Sequence, residues 1–419
     1  MERNPFKWFK VYLSGKMLLM LVLGFSSGMP LALTGSTLSA WMVAEGVDIK
    51  TIGLYSLVGL PYAFKFLWSP LMDRFVPPFL GRRRGWMLIT QLALIFTISA
   101  LGFFNPASMP VLVAAAALSL AFFSASQDIV LDAYRTEYLK PEERGAGVGA
   151  WIMGYRIALL VGGAAALILS DHVSWKMVYL LMGLFMVIGC IATLVAPEPL
   201  QINPAGEAVE APKSLYEAAV APFLEFFRRP GSLEILLFII LYKLGDIAAA
   251  QMTTPYILKY VGFSRTELGT IYKGLGMAAT IVGALMGGAL MSRWPLKRSL
   301  FVFGVLQGVS ILAFILLEFT GREIWALAVV IGIENFCGGM GTSAYTAFLM
   351  GLCNRKFTAT QYALLSSLMA VGRNVTGAPT GYLADAVGWV MFFVICTALA
   401  VPGLLLLLRY EKWAVEVQN

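Results

Sequence analysis

The stretch Leu169-Ser170-Asp171-His172-Val173-Ser174-Trp175 separates two long apolar runs, and it returns in the second half as Leu383-Ala384-Asp385-Ala386-Val387-Gly388-Trp389. A second pair keeps nearly the same interval: Gly46-Val47-Asp48-Ile49-Lys50-Thr51-Ile52-Gly53 returns as Gly262-Phe263-Ser264-Arg265-Thr266-Glu267-Leu268-Gly269. Two echoes at one spacing mark a duplicated unit that fills half the chain. That unit belongs in a membrane. Hydrophobic residues make up 59% of the 419 and charged residues only 13%, with a mean hydropathy of +0.77. A soluble domain carries about 25% charged residues, so this chain has too few to coat a water-facing surface. Lipid cannot hydrogen-bond the backbone, which leaves helices or a closed barrel. Unbroken apolar runs such as Leu18–Leu23 and Leu404–Leu408 rule against the alternation of a barrel.

At about 20 apolar residues per crossing, the spans fall at 15–43, 50–76, 84–104, 109–138, 144–170 and 174–196, then 231–260, 265–292, 297–319, 323–352, 358–384 and 388–410. The expected fold class is an all-α membrane protein with the major facilitator superfamily fold: two six-helix bundles related by a parallel pseudo-repeat, with the site between them near the midplane. The halves are 1–196 and 231–419, joined by a cytoplasmic linker at 197–230 that is rich in Pro, Glu and Ala. Within it, Ser214–Arg229 alternates Phe and Leu with Glu and Arg, the pattern of a short helix on the membrane surface.

Orientation follows from the basic residues. One side holds Arg3, Lys7, Lys10, Lys16, Arg74, Arg82, Arg83, Arg84, Arg135, Lys140, Arg144, Lys213, Arg228, Arg229, Arg293, Lys297, Arg298, Arg355, Lys356, Arg409 and Lys412, 21 in all. The other holds Lys50, Lys176, Lys259, Arg265 and Arg322, which is 5. That bias places both termini in the cytoplasm. The net charge of +7 is thus a topology signal, and Gly81-Arg82-Arg83-Arg84-Gly85 reads as a turn facing anionic lipid, with no nucleic-acid partner expected.

Other signals are structural. Cys190, Cys337, Cys353 and Cys396 are too scattered for a metal motif and read as packing residues. The first span is too long and too polar for a signal peptide's apolar core, so no cleaved leader is expected. His172, the sole histidine, falls in a loop, which argues against a zinc enzyme or a Ser-His pair. Gly145-x-x-x-Gly149, Gly283-x-x-x-Gly287 and Gly377-x-x-x-Gly381 read as helix-contact faces. Asn374-Val375-Thr376 lies within a span, where no glycan can be added.

Nine charges sit inside the expected spans: Lys65, Arg156, Lys243, Lys273 and Arg373, with Asp128, Asp132, Asp246 and Glu334. A charge at the bilayer centre costs at least about 2.5–3.5 kcal/mol, so such residues face a cavity and mark a pathway. Asp128, Arg156, Lys243 and Glu334 lie at similar depth, about 15–18 Å from the basic end. Asp128 and Asp132 share one helix face, as do Lys243 and Asp246. The bland alternative is a set of salt bridges that only hold helices together. The surplus of cations favours an anionic solute. Gly24, Gly28 and Pro30 interrupt span one beside Ser26, Ser27, Thr34, Ser36 and Thr37. A ligand site and a packing kink explain this equally well.

Several segments carry a family resemblance. They are Lys65-Phe66-Leu67-Trp68-Ser69-Pro70-Leu71-Met72-Asp73-Arg74, Gly81–Trp86, Ser124-Ala125-Ser126-Gln127-Asp128-Ile129-Val130-Leu131-Asp132-Ala133 and Glu143-Arg144-Gly145-Ala146-Gly147. In the second half they are Tyr242-Lys243-Leu244-Gly245-Asp246, Glu334-Asn335-Phe336-Cys337-Gly338-Gly339-Met340-Gly341-Thr342-Ser343-Ala344 and Ala359-Thr360-Gln361-Tyr362-Ala363-Leu364-Leu365-Ser366. Together they resemble the AmpG family of muropeptide permeases, from about residue 15 to 410. The Gln-Asp-Ile-x-x-Asp element is also similar to part of the acetyl-CoA transporter family. Many AmpG members carry further C-terminal hydrophobic segments, whereas this chain stops after the twelfth span.

The resemblance implies a proton-driven secondary transporter of the bacterial inner membrane. It would import GlcNAc-1,6-anhydroMurNAc peptides from periplasm to cytoplasm, feeding cell-wall recycling and β-lactamase induction. An acyl-CoA or a peptide is the alternative anionic solute, and a membrane enzyme or a muropeptide sensor the alternative roles. No cofactor is expected beyond the coupling proton. The expected partners are the solute and membrane lipid, and the expected state is a monomer. Proton coupling is expected at Asp128 first, with Asp132 beside it and Glu334 and Asp246 as rivals. Solute contact is expected from Lys65, Gln127, Arg156, Lys243, Lys273, Asn335 and Arg373. Asp73 with Arg74, Arg82, Arg83 and Arg84 resembles the major facilitator loop between spans two and three, which implies a cytoplasmic gate latch.

Overall fold

Apolar runs of this length satisfy their own backbone only as helices. The structure, a computed structural model, describes residues 10–47, 51, 55–199 and 211–414, and helix is the only regular element among them. The first half comprises α1 (Gly15–Ala44), α2 (55–74), α3 (Arg82–Leu101), α4 (Pro110–Tyr138), α5 (Pro141–Ser170) and α6 (Trp175–Val195). The linker forms α7 (Leu215–Arg228). The second half comprises α8 (232–260), α9 (Gly269–Met291), α10 (Leu296–Thr320), α11 (Ile324–Leu352), α12 (Thr358–Val387) and α13 (Trp389–Lys412). Among the described residues, nine of these are long and apolar enough to cross a bilayer: α1, α3, α4, α5, α6, α9, α10, α11 and α13.

The exceptions include two helices interrupted at an expected charge. α2 tightens into a 3-10 turn at Lys65–Leu67, and α8 breaks at Tyr242–Lys243. Span one is interrupted elsewhere than expected. Its helix runs through Gly24, Gly28 and Pro30 and breaks at Gly35, φ −103°, ψ −106°. Gly24 and Gly28 lie against the Trp151 and Tyr155 carbonyls of α5, so no side chain fits there and the two helices pack backbone to backbone.

The duplication is visible in the packing. Trp41 stacks on Trp175 at 5.6 Å and lies 5.3 Å from Tyr179. In the second half, Tyr256 lies 4.9 Å from Trp389 and 5.0 Å from Phe393. These are the same three positions carried along the chain by the interval of the repeat. They place the turns before Trp175 and Trp389 at one end of the bundle, opposite the end bearing Arg82–Arg84 and α7.

At the basic end the halves meet. Gly145 and Gly149 of α5 face Met291, Gly288 and Ala284 of α9, and Tyr12 Oη donates to the Leu285 carbonyl at 2.6 Å. Glycines nearer the other end of the same two helices, Gly163, Gly269 and Gly274, have nothing within 4 Å of a would-be Cβ. The seam is therefore tight at the basic end.

Candidate functional site

Between the halves lies a cavity of about 360 Å³. α5 contributes Trp151, Tyr155 and Arg156; α8 contributes Asp246; α11 contributes Glu334, Asn335 and Thr342. Its floor, toward the basic end, is Arg135 of α4 with Tyr362 of α12. Four of the expected site residues thus reach one space: Arg156, Asp246, Glu334 and Asn335. Arg156 makes no ion pair among the described residues. Glu334 accepts a hydrogen bond from Asn335 Nδ2 at 2.7 Å, and Asn335 Oδ1 accepts one from Thr280 at 3.1 Å.

Behind this wall stands Lys243. The break in α8 buries its ammonium, which donates to Gln307 Oε1 at 3.0 Å and Thr342 Oγ1 at 3.1 Å, with Asp246 at 3.6 Å. Such a charge is tolerable in lipid surroundings only because its donors are matched.

The first half holds an acidic counterpart. Ser27 of α1 donates to Asp128 Oδ1 at 2.6 Å. One turn on, Asp132 pairs with Arg135 at 2.8 Å and stands 3.7 Å from Lys65. Lys65, Asp128 and Asp132 therefore form one cluster beside the cavity and are absent from its lining. Gln127 is fully buried, and its Nε2 donates to Ser26 at 2.7 Å, so it binds α4 to α1 and does not face the cavity. Lys273 and Arg373 lie outside the residues whose side chains are described.

Of the five expected gate residues, the structure brings three to the seam. The Asp73 carboxylate accepts from the backbone N–H groups of Ala359 at 3.2 Å and Thr360 at 2.8 Å, and from the Thr360 hydroxyl at 2.8 Å. It thereby caps the first turn of α12 in the other half, where helix N–H groups have no internal partner. Arg83, fully buried, holds Asp73 at 2.8 Å and Glu137 at 2.6 Å. Arg82 reaches the Arg355 carbonyl at 3.5 Å. Arg84 instead donates to the Thr193 and Leu194 carbonyls of its own half, and Arg74 stacks on Phe75, so neither crosses the seam. Gly81 opens α3 at φ +84°, with the Glu198 side chain where a Cβ would stand; Glu198 caps the backbone of Arg83 and Arg84.

Sequence reasoning does not find Arg135 and Tyr362. It counts Arg135 only among the charges of the basic side, at the end of span 109–138, whereas α4 holds the residue 3% exposed. Its i,i+3 spacing from Asp132 is the available signal. The clamp made by α7 is equally hidden: Gln361 Nε2 donates to Pro222 O at 3.2 Å and also to Glu225, and Lys356 pairs with Glu217 at 2.7 Å.

A model described as Major Facilitator Superfamily matches residues 20–377. The chain is 49% identical over 403 residues to the anhydromuropeptide permease of Escherichia coli strain K12, covering 96% of this chain and 81% of that protein. It is 32% identical over 398 residues to the transporter AmpG 1 of Rickettsia bellii, covering 93% and 96% respectively. Among solved structures, the human organic anion transporter MFSD10 (TETRAN) matches with a TM-score of 0.66 over 97% of this chain and 100% of that one, at 16% identity, a likeness of fold alone.

Proposed function

This chain belongs to the major facilitator superfamily and, within it, to the AmpG permease family, whose members are transporters and not enzymes, and from that premise we propose that it imports anhydromuropeptides from periplasm to cytoplasm, driven by protons. The observation that carries the proposal is the cavity between the halves. It offers Arg156 free of any ion pair among the described residues, flanked by Asp246, Glu334 and Asn335, and it is closed at the basic end by bonds that cross the seam. An unpaired guanidinium in a low-dielectric cavity suits a peptide carboxylate, which it can hold through two parallel hydrogen bonds. The basic end is the cytoplasmic end by the distribution of Lys and Arg, so the conformation described faces the periplasm of the inner membrane.

In this reading Asp128 carries the coupling proton. Desolvation favours a neutral carboxyl group and a nearby cation favours a charged one, so one group can be switched between the two as its neighbours move. Asp246 and Glu334 line the solute space and are rivals for that role. Proteoliposomes holding the purified protein, given labelled GlcNAc-anhydroMurNAc-tetrapeptide and an inward proton gradient, should accumulate the unmodified solute. Absence of uptake, or uptake indifferent to the gradient, refutes the proposal. A chemically altered solute inside would point to an enzyme instead.

A further inference from the structure

Arg135 does two things at the cavity floor. Its Nη2 donates to Asp132 Oδ1 at 2.8 Å in its own half and to the Tyr362 hydroxyl at 2.9 Å in the other. Its guanidinium lies 4.6 Å from the Trp151 ring and 5.8 Å from the Tyr362 ring. The group is 3% exposed, and its Nε is buried with no hydrogen-bond partner. An unmet donor on a buried guanidinium is costly to leave. Asp132, its one carboxylate partner among the described residues, is shared with Lys65.

We propose that Arg135 is a solute-operated lock. The same guanidinium that ties the halves together through Tyr362 receives a carboxylate of the solute, and that exchange frees the seam at the basic end. The proposal rests on the transport reading above. The direction of the competition follows from charge. A phenol oxygen is a neutral acceptor, whereas a carboxylate accepts charge-assisted bonds about twice as strong and can engage two N–H groups at once. The solute therefore displaces Tyr362. When Asp128 is neutral, Lys65 and Arg135 outnumber Asp132 by one charge, so an arriving carboxylate is matched. Tyr362 lies two residues beyond Thr360, which holds Asp73. Freeing Tyr362 therefore loosens the turn of α12 that the outer latch grips.

The test uses the full chain in proteoliposomes, with spin labels at Lys140 and Arg298 on opposite sides of the basic-end seam and the native cysteines replaced. Tyr362→Phe keeps the ring and removes the acceptor. Without any solute it should shift the label distances toward a separated seam. It should also bind GlcNAc-anhydroMurNAc-tetrapeptide several-fold more tightly than wild type, because the competitor is gone. Arg135→Lys keeps the charge but loses the planar two-donor geometry. It should weaken that probe about tenfold while leaving the same probe with amidated carboxylates within twofold. Equal losses for both probes would mean that Arg135 only supports structure, and the proposal falls. It falls also if Tyr362→Phe leaves distances and affinity unchanged. Failure of the wild type to bind either probe counts against the transport reading, while the solute-free distance measurement still decides the lock.

Discussion

In the first half, Ser27 of α1 donates to Asp128 of α4 at 2.6 Å; in the second half, Lys243 of α8 donates to Thr342 of α11 at 3.1 Å. Ser27 and Lys243 occupy corresponding positions of the repeat, and so do Asp128 and Thr342. A third position follows: Gln91 of α3 corresponds to Gln307 of α10. Gln91 Oε1 accepts from Thr193 at 2.8 Å, whereas Gln307 Oε1 accepts from Lys243 at 3.0 Å. Duplication has kept the contact between the helices and reversed its charge. The difference teaches that the halves are interchangeable as scaffolds and not as chemistry. The acidic member, bonded to a hydroxyl, is the one proposed above to carry the proton. An ammonium held by Gln, Thr and Asp places a cation just behind the cavity wall.

The sharpest way to break this contrast is at its acidic member. If Asp128 carries the coupling proton as proposed, Asp128→Asn should abolish accumulation against a gradient, a loss of about 100-fold or more. Solute exchange should persist, because exchange moves no net proton. Comparing counterflow with gradient-driven uptake in proteoliposomes separates the two, and undiminished accumulation in this variant would move the carrier to Glu334 or Asp246.

The basic member should fail differently. Lys243→Gln keeps a donor for Gln307 and Thr342 but removes the charge that faces Asp246. Loss of a charge-assisted bond is worth about 1.5–3 kcal/mol, so the half-saturating solute concentration should rise by about tenfold or more. The ratio of uptake with and without a proton gradient should stay that of the wild type. A collapse of that ratio would mean that both halves serve the proton and the contrast is wrong.

The Asp73 contact belongs to neither pole, and as the proposed latch it should be indifferent to solute. Asp73→Asn replaces a charged cap on α12 with a neutral one and leaves buried Arg83 with Glu137 as its one carboxylate partner among the described residues. Transport should slow by about fivefold to tenfold, in line with a weakened charged hydrogen bond, with solute affinity within twofold by equilibrium binding. A large loss of affinity would place Asp73 in the solute site.

The smallest effect is expected at the Lys356–Glu217 pair of the α7 clamp, which is about one-third exposed. The Lys356 ammonium donates to Glu217 and, with the backbone N–H of Lys213, holds its carboxyl below the usual glutamate range. A depressed value means that the pair contributes fully above the ordinary glutamate pKa, about 4.3, and is lost as pH falls through the lowered folded value. The clamp should therefore not change between pH 6 and pH 8. Lys356→Ala should alter uptake by less than about twofold, as for other solvent-screened pairs. A pH dependence of uptake in that range that survives this variant comes from groups other than this pair.

By itself the chain's composition determined a membrane protein, and its internal echoes determined two six-helix halves. Both are properties that act locally: each span must satisfy its own backbone in lipid, and each echo is read along the chain. Intramembrane charges such as Arg156, Asp246 and Glu334 were legible for the same reason, since a charge within an apolar run has few explanations. What only the tertiary structure decided is which charge faces which. Gln127 and Asp128 are adjacent in the chain, yet one is sealed against Ser26 and the other held by Ser27. Arg84 and Arg83 are adjacent, yet only Arg83 holds the aspartate that spans the seam. Arg135 reads in the sequence only as one more charge of the basic side, whereas α4 carries it under the cavity to meet Tyr362. A helix turns each residue about 100° from the last, so neighbours in sequence point to different partners, and those partners come from helices whose rotation is set by packing alone.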